Sequence, residues 1–105
     1  MNLVNKDNFK DIINKDASLI CFGASWCGKC QMAMNKFPDY EKALNGLVQI
    51  YKIDADESRE IFDEYNVDHM PIFILFKNGK ELARRSALAT PDGLLDFVKT
   101  SLEAK

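Results

Sequence analysis

The sequence predicts an α/β protein in which a mixed sheet of four to five strands carries helices on both faces. Three observations predict it. Ser18–Phe22 and Ile72–Phe76 are compact apolar runs, too short for helices, and read as strands covered on both sides. Between them lies a helical pattern, with Ala33, Phe37, Tyr40 and Leu44 at i, i+4, i+7 and i+11. After the second run, Lys77-Asn78-Gly79-Lys80 is a hairpin turn, because Asn-Gly suits the two positive-φ positions of a type I′ turn.

Taken in order, Leu3-Val4 can form a stub of strand. Phe9, Ile12 and Ile13 predict a short helix over residues 7–15, with Asn5 or Asp7 as its cap. The Ser18–Phe22 strand leads through Gly23-Ala24-Ser25-Trp26 into the long helix that begins near Cys27. Asn45-Gly46 ends that helix. Pro38 inside it has no N–H for the preceding turn and should kink or split it. Leu47–Ile53 predicts a strand, and Ser58–Tyr65 a helix with Ile61, Phe62 and Tyr65 inward. Ile72–Phe76, the hairpin and an edge strand over Glu81–Ala87 follow. Thr90 caps and Pro91 starts a last helix with Leu94, Leu95, Val98 and Leu102 on its buried face. Alternating strands and helices in the first half require parallel pairing through right-handed crossovers, and the hairpin adds an antiparallel edge.

The 105 residues amount to a single domain, 1–105. A hydrophobic fraction of 47% is ordinary for a globular chain. Fourteen basic and sixteen acidic residues are well mixed and leave a net charge of −2. That balance supplies no basic stripe for nucleic acid and no polybasic segment for a membrane. The first residues lack the apolar core of a signal peptide, so a cytoplasmic location is expected, where thiols stay reduced. Three cysteines there do not suggest a structural disulfide framework; a Cys-x-x-Cys pair points to redox catalysis or a metal.

Cys27 and Cys30 are spaced to approach each other at the start of a helix. At that position free backbone N–H groups and the helix dipole favour an anion. The anion expected is the Cys27 thiolate, the nucleophile of thiol–disulfide exchange, with the Lys29 charge lowering its pKa further. Cys30, one turn into the helix, would be more buried and act second: Cys27 attacks a disulfide, and Cys30 then attacks Cys27 to release the product. A closed zinc site wants four ligands, and the other thiol and imidazole, Cys21 and His69, are distant in sequence. The strand-to-helix context favours redox over metal. Asp54-Ala55-Asp56-Glu57 reads as a loop and helix start without the calcium-loop pattern.

Three segments resemble the thioredoxin family: Ala24-Ser25-Trp26-Cys27-Gly28-Lys29-Cys30, Val67-Asp68-His69-Met70-Pro71 and Phe76-Lys77-Asn78-Gly79. They occur in the family's order and span nearly the whole chain. The resemblance implies a thioredoxin fold and a Cys27–Cys30 redox disulfide, with Cys27 attacking and Cys30 resolving. Trp26, Gly28 and Lys29 would complete the active segment. Pro71 would follow a cis bond beside the disulfide, and the Met70 backbone, with Trp26, would receive an extended substrate strand. It further implies disulfide-containing protein substrates, recharging by a flavin-dependent thioredoxin reductase that uses NADPH, no bound cofactor or metal, and a monomer.

The chain also departs from the family pattern. Lys29 stands where proline is usual, which should raise the reduction potential above thioredoxin's, to roughly −200 to −260 mV. Cys21 replaces a buried aspartate, and by position Ile50 is taken to replace that acid's lysine partner, so both members of a buried pair would be absent together. Cys21 then reads first as a small buried hydrophobe and second as a third redox thiol. Gly23, Ile72, Ala87 and the placement of Pro38 also differ, and each bears on the substrate-facing surface or on the shape of the active helix. The alternatives to a general disulfide reductase are a more oxidising oxidase or isomerase, and a binding subunit without redox activity.

Overall fold

A computed structural model describes residues 2–86 and 89–103. The order of elements is β1 (Asn2–Val4), α1 (Phe9–Ile13), β2 (Ser18–Gly23), α2 (Gly28–Ala43), β3 (Gln49–Asp54), α3 (Arg59–Glu64), β4 (Ile72–Lys77), β5 (Lys80–Ser86) and α4 (Pro91–Glu103). The five strands form one mixed sheet in the order β1-β3-β2-β4-β5. β3 runs parallel to β1 and β2, while β4 is antiparallel to both β2 and β5. Ala87, expected at the end of the edge strand and beside the substrate groove, lies outside the described residues. Among the described residues no helix is long and apolar enough to cross a membrane.

The sheet divides the core into two layers because side chains alternate along each strand. Ile20 and Phe22 of β2 join Ile53, Ile72, Ile74 and α3's Phe62 on one face. Leu19 and Cys21 join Phe37 and Tyr40 of α2, its C-cap Leu44, and Leu94 and Val98 of α4 on the other. The four residues expected on the buried face of α2 are all fully inaccessible. Tyr40 packs edge-on against Phe37 and Phe73, and its hydroxyl donates to the Ala89 carbonyl.

Several expected boundaries shift. Helix α1 is shorter than residues 7–15, with turns on both sides. Its N-cap is Asn8, without a side-chain cap bond, rather than Asn5 or Asp7; Asn5 instead shapes the preceding turn, its Oδ1 accepting the N–H groups of Asp7 at 2.9 Å and Asn8 at 3.1 Å. Pro38 does not split α2, which runs unbroken from Gly28 to Ala43. Burial of Phe37 on one side of the proline and Tyr40 and Leu44 on the other holds both halves to the same sheet face. β3 begins at Gln49 rather than Leu47, because Leu47 is still in the turn, with its N–H on the Leu44 carbonyl.

The hairpin is as expected, with Asn78 at φ 53° and Gly79 at φ 88°. The Gly79 N–H also donates to the Ile13 carbonyl at 2.7 Å, tying the turn to the end of α1. A Cβ on Gly79 would lie 2.5 Å from Asn14 Oδ1. Gly79→Ala is therefore expected to destabilise the fold by about 1–2 kcal/mol, from the left-handed backbone and displacement of Asn14. Denaturant unfolding with an unchanged slope is the check. Thr90 caps α4 as expected, its Oγ accepting the Gly93 N–H at 3.0 Å.

Candidate active site

Strand β2 ends at Gly23, and five residues later α2 begins. Cys27 is the residue between extended chain and helix, at φ −95° and ψ 119°. Its Sγ accepts the Cys30 N–H at 3.3 Å, so the thiol sulfur occupies the place of an N-cap oxygen. Burial alone would push the Cys27 thiol up. Hydrogen bonds from the Cys30 side chain and from the backbone N–H groups of Cys30 and Lys29, with the Lys29 charge added, more than offset it, and the pKa falls below the ordinary thiol value. The hydrogen bonds contribute more than the Lys29 charge, in keeping with a thiolate held first by the helix start.

Cys30 is the contrast. It is 2% exposed and packs against Gly23, where a Cβ would lie 3.1 Å from Cys30 Sγ. Burial first, then its hydrogen bond to Cys27, pushes the Cys30 thiol up to about 11. The two thiols of one motif are thus driven apart, one toward the thiolate and one toward the protonated form. Both are free thiols in this structure. Gly28 faces open space, with nothing within 4 Å of where its Cβ would be.

The second predicted segment arrives at the same end of the sheet. Ile72 pairs with Phe22, so the residue before it, Pro71, lies beyond the pair at the end where Gly23 meets Cys30. The Met70–Pro71 bond is cis. Met70 and Trp26 line one recess. Trp26 is 64% exposed, yet its indole is anchored: Nε1–H donates to Asp56 Oδ1 at 3.2 Å. Asp56, read in the sequence only as part of a charged loop, is thus a support of the site. His69 engages Asp68 at 2.7 Å and Ser86 at 2.9 Å; its polar partners are not the cysteines.

The expectation for the buried pair needs correcting. Cys21 pairs in register with Lys52 across β2 and β3, whereas Ile50 lies opposite Leu19. The Lys52 charge acts on both Cys21 and Cys30, favouring their ionised forms. The acid is absent but a lysine is retained. Lys52 is only half-buried, and a long side chain of that kind can keep its charged end toward solvent without a buried counter-charge. The strand register that reveals this pairing is invisible in the sequence. Cys21 itself is inaccessible among apolar side chains, and burial, with the nearby Cys30 second, drives its thiol pKa far up. It is placed as a core side chain.

Lys52→Met is expected to push the Cys30 thiol higher still and to slow its attack on a Cys27 mixed disulfide about two- to threefold. Single-turnover release kinetics against pH would show it; an unchanged profile would remove Lys52 from the site.

Among the described residues no three His, Cys, Asp or Glu side chains converge to hold a metal. The arrangement can form a disulfide between Cys27 and Cys30 and pass two electrons to an external one.

Comparison with known proteins agrees with this chemistry. The thioredoxin family model matches residues 1–100. A thioredoxin of Rickettsia felis is 31% identical over 102 residues, covering 96% of this chain and 97% of the relative. A thioredoxin of Chlamydia trachomatis is 37% identical over 100 residues, covering 93% and 95%. The solved structure of a mutant thioredoxin from Halobacterium salinarum superposes with a TM-score of 0.82 at 28% identity, covering 95% of this chain and 88% of that one.

Proposed function

The chain belongs to the thioredoxin family and is a thiol–disulfide oxidoreductase that reduces protein disulfides; from that premise we propose that Cys27 is the attacking thiol and Cys30 the resolving one. The observation that carries the assignment is geometric: Cys27 Sγ, partly exposed, accepts the Cys30 N–H at the helix start, while Cys30 is 2% exposed, and this drives the two pKa values in opposite directions. The thiolate is the nucleophile, so the accessible thiol with the lowered pKa attacks. Its sulfur bonds to one sulfur of the substrate disulfide, and the other leaves as a thiolate and takes a proton from water. Cys30 then loses its proton and attacks Cys27 Sγ, the mixed disulfide breaks, and the substrate leaves fully reduced with Cys27–Cys30 oxidised.

Around this pair, Gly28 leaves the approach to Cys27 open. Trp26 and the backbone of Met70, held by Pro71, bound the surface that receives an extended substrate segment. Lys29 adds to the stabilisation of the thiolate, and the couple is accordingly placed above thioredoxin's potential of about −270 mV, at roughly −200 to −260 mV. A thioredoxin reductase would return the disulfide to the dithiol, with the chain working as a monomeric single domain, 1–105, in the cytoplasm. A compartment that keeps thiols reduced suits a reductase that must be recharged after every cycle.

Alkylation against pH tests the assignment. Cys27 should react at pH values below the ordinary thiol range, and Cys30 only as pH approaches about 11. The same displacement has a consequence for stability. The raised pKa of Cys30 favours the folded dithiol fully below the ordinary value of 9.0, and this contribution is lost as pH rises through about 11. Preferential alkylation of Cys30 at neutral pH would reverse the roles.

A further inference from the structure

The recess shared by Trp26 and Met70 has a chemistry of its own. It has a volume of about 140 Å³ and lies between the active-site turn, α3 and the segment before Pro71. Phe62 and Val67 supply apolar lining. The Trp26 ring stands at its edge, anchored through Asp56. The charged residues of the lining are Asp63, Asp68 and Arg59, so acids outnumber the base.

Asp68 is exposed but has a hydrogen-bonded partner in His69. Its Oδ1 receives Nδ1–H of His69 at 2.7 Å, and His69 Nε2 meets the Ser86 hydroxyl at 2.9 Å. Ser86 is in β5, opposite Ile72. The edge strand therefore holds the imidazole, and the imidazole holds the carboxylate at the recess. The same hydrogen bond from His69 keeps the Asp68 carboxyl below the usual carboxylate range, so it is ionised throughout the neutral range. Only one of its two oxygens is taken by His69.

An apolar lining with an aromatic edge and an exposed, hydrogen-bonded carboxylate matches a side chain that has an aliphatic stem and a cationic head. The stem packs on Phe62, Val67 and Met70, and the head can lie over the Trp26 face and pair with Asp68 and Asp63. We propose that this recess is a specificity subsite for a lysine or arginine side chain of the substrate polypeptide, with Asp68 as its principal carboxylate. The inference rests on the Cys27 chemistry proposed above, since the subsite acts on polypeptides bound for attack by that thiol. Arg59 opposes a cation and tempers the preference.

The test uses synthetic peptide disulfides that differ only in carrying lysine, leucine or glutamate within three residues of the reacting cysteine. At low salt, kcat/KM for the best lysine peptide is expected to exceed that for its glutamate counterpart about fivefold, as an exposed ion pair and a cation–π contact would produce. Half-molar salt should shrink the ratio. Asp68→Asn and His69→Ala should each lower the lysine-to-leucine ratio, and Arg59→Gln should raise it. Since these are ratios within one variant, a general loss of activity does not move them. Equal rates for all three peptides, or ratios untouched by Asp68→Asn, would overturn the subsite while leaving the cysteine roles standing. Failure to reduce any of the peptides would overturn the cysteine roles and the subsite with them.

Discussion

Replacing Cys30 with serine is expected to stop turnover after a single attack and leave the substrate covalently attached to Cys27. The reason lies in the division of labour proposed for the two sulfurs. Cys27 can still form the mixed disulfide: the serine hydroxyl can donate in place of the Cys30 thiol, and the backbone N–H groups that also stabilise the Cys27 thiolate are left in place. What is lost is the sulfur that breaks that bond from inside. Cys30 is almost inaccessible against Gly23, where in the proposed mechanism its attack on Cys27 would face no competition from thiols in solution. A serine hydroxyl there is far too weakly acidic to do the same. Steady-state reduction of a protein disulfide should fall at least about 100-fold. A mass increase equal to one substrate chain should appear, and added dithiothreitol should reverse it. Cys27→Ser should be equally inactive but form no adduct. Turnover near the original rate in Cys30→Ser would refute the two-thiol mechanism.

The largest stability effect is expected at Tyr40. Its side chain is fully buried between α2, β4 and the segment before α4, with its ring against Phe37 and Phe73 and its hydroxyl on the Ala89 carbonyl. Tyr40→Ala removes the ring contacts, leaves a cavity that these neighbours fill only partly, and strips a buried carbonyl of its donor. The cost should be about 3–5 kcal/mol, enough to lower Tm by roughly 15–30 °C in a domain of this size. Tyr40→Phe keeps the ring and deletes only the hydroxyl, and should cost about 1–2 kcal/mol. Calorimetry on both variants separates packing from the hydrogen bond. If Tyr40→Ala cost no more than Tyr40→Phe, the ring would not be the support of the α2 layer that the structure makes it. Because α2 carries Cys30, loosening this layer should also slow resolution of the mixed disulfide.

Much of this was legible in the residue pattern. A full apolar run such as Ile72–Phe76 can satisfy its side chains only between two covered faces, which places it centrally in a sheet. Asn78-Gly79 announces its own backbone conformation, since few other residue pairs adopt two positive φ values readily. Cys27 and Cys30 declare their proximity because helical spacing is a local property. Where local signals competed, the reading was weaker. Pro38 carries a real local penalty, yet the apolar face on either side of it kept α2 in one piece. Leu47 is apolar and looked like strand, but a turn closed by Leu44 holds it outside the sheet.

By itself, then, the sequence determined which segments are strands and helices, the thioredoxin resemblance, and the position of the reactive pair at a helix start. The elements and the reactive pair rest on spacings within a few residues of one another, and the resemblance on three short motifs in order along the chain. The tertiary structure alone decided which distant side chains support that pair. Lys52 rather than Ile50 stands opposite Cys21, because strand register is set by the packing of whole faces. Asp56 anchors Trp26 across a separation of 30 residues, and Ser86 braces His69 across 17. Such contacts follow from how the sheet orders its strands, and no periodicity along the chain encodes them.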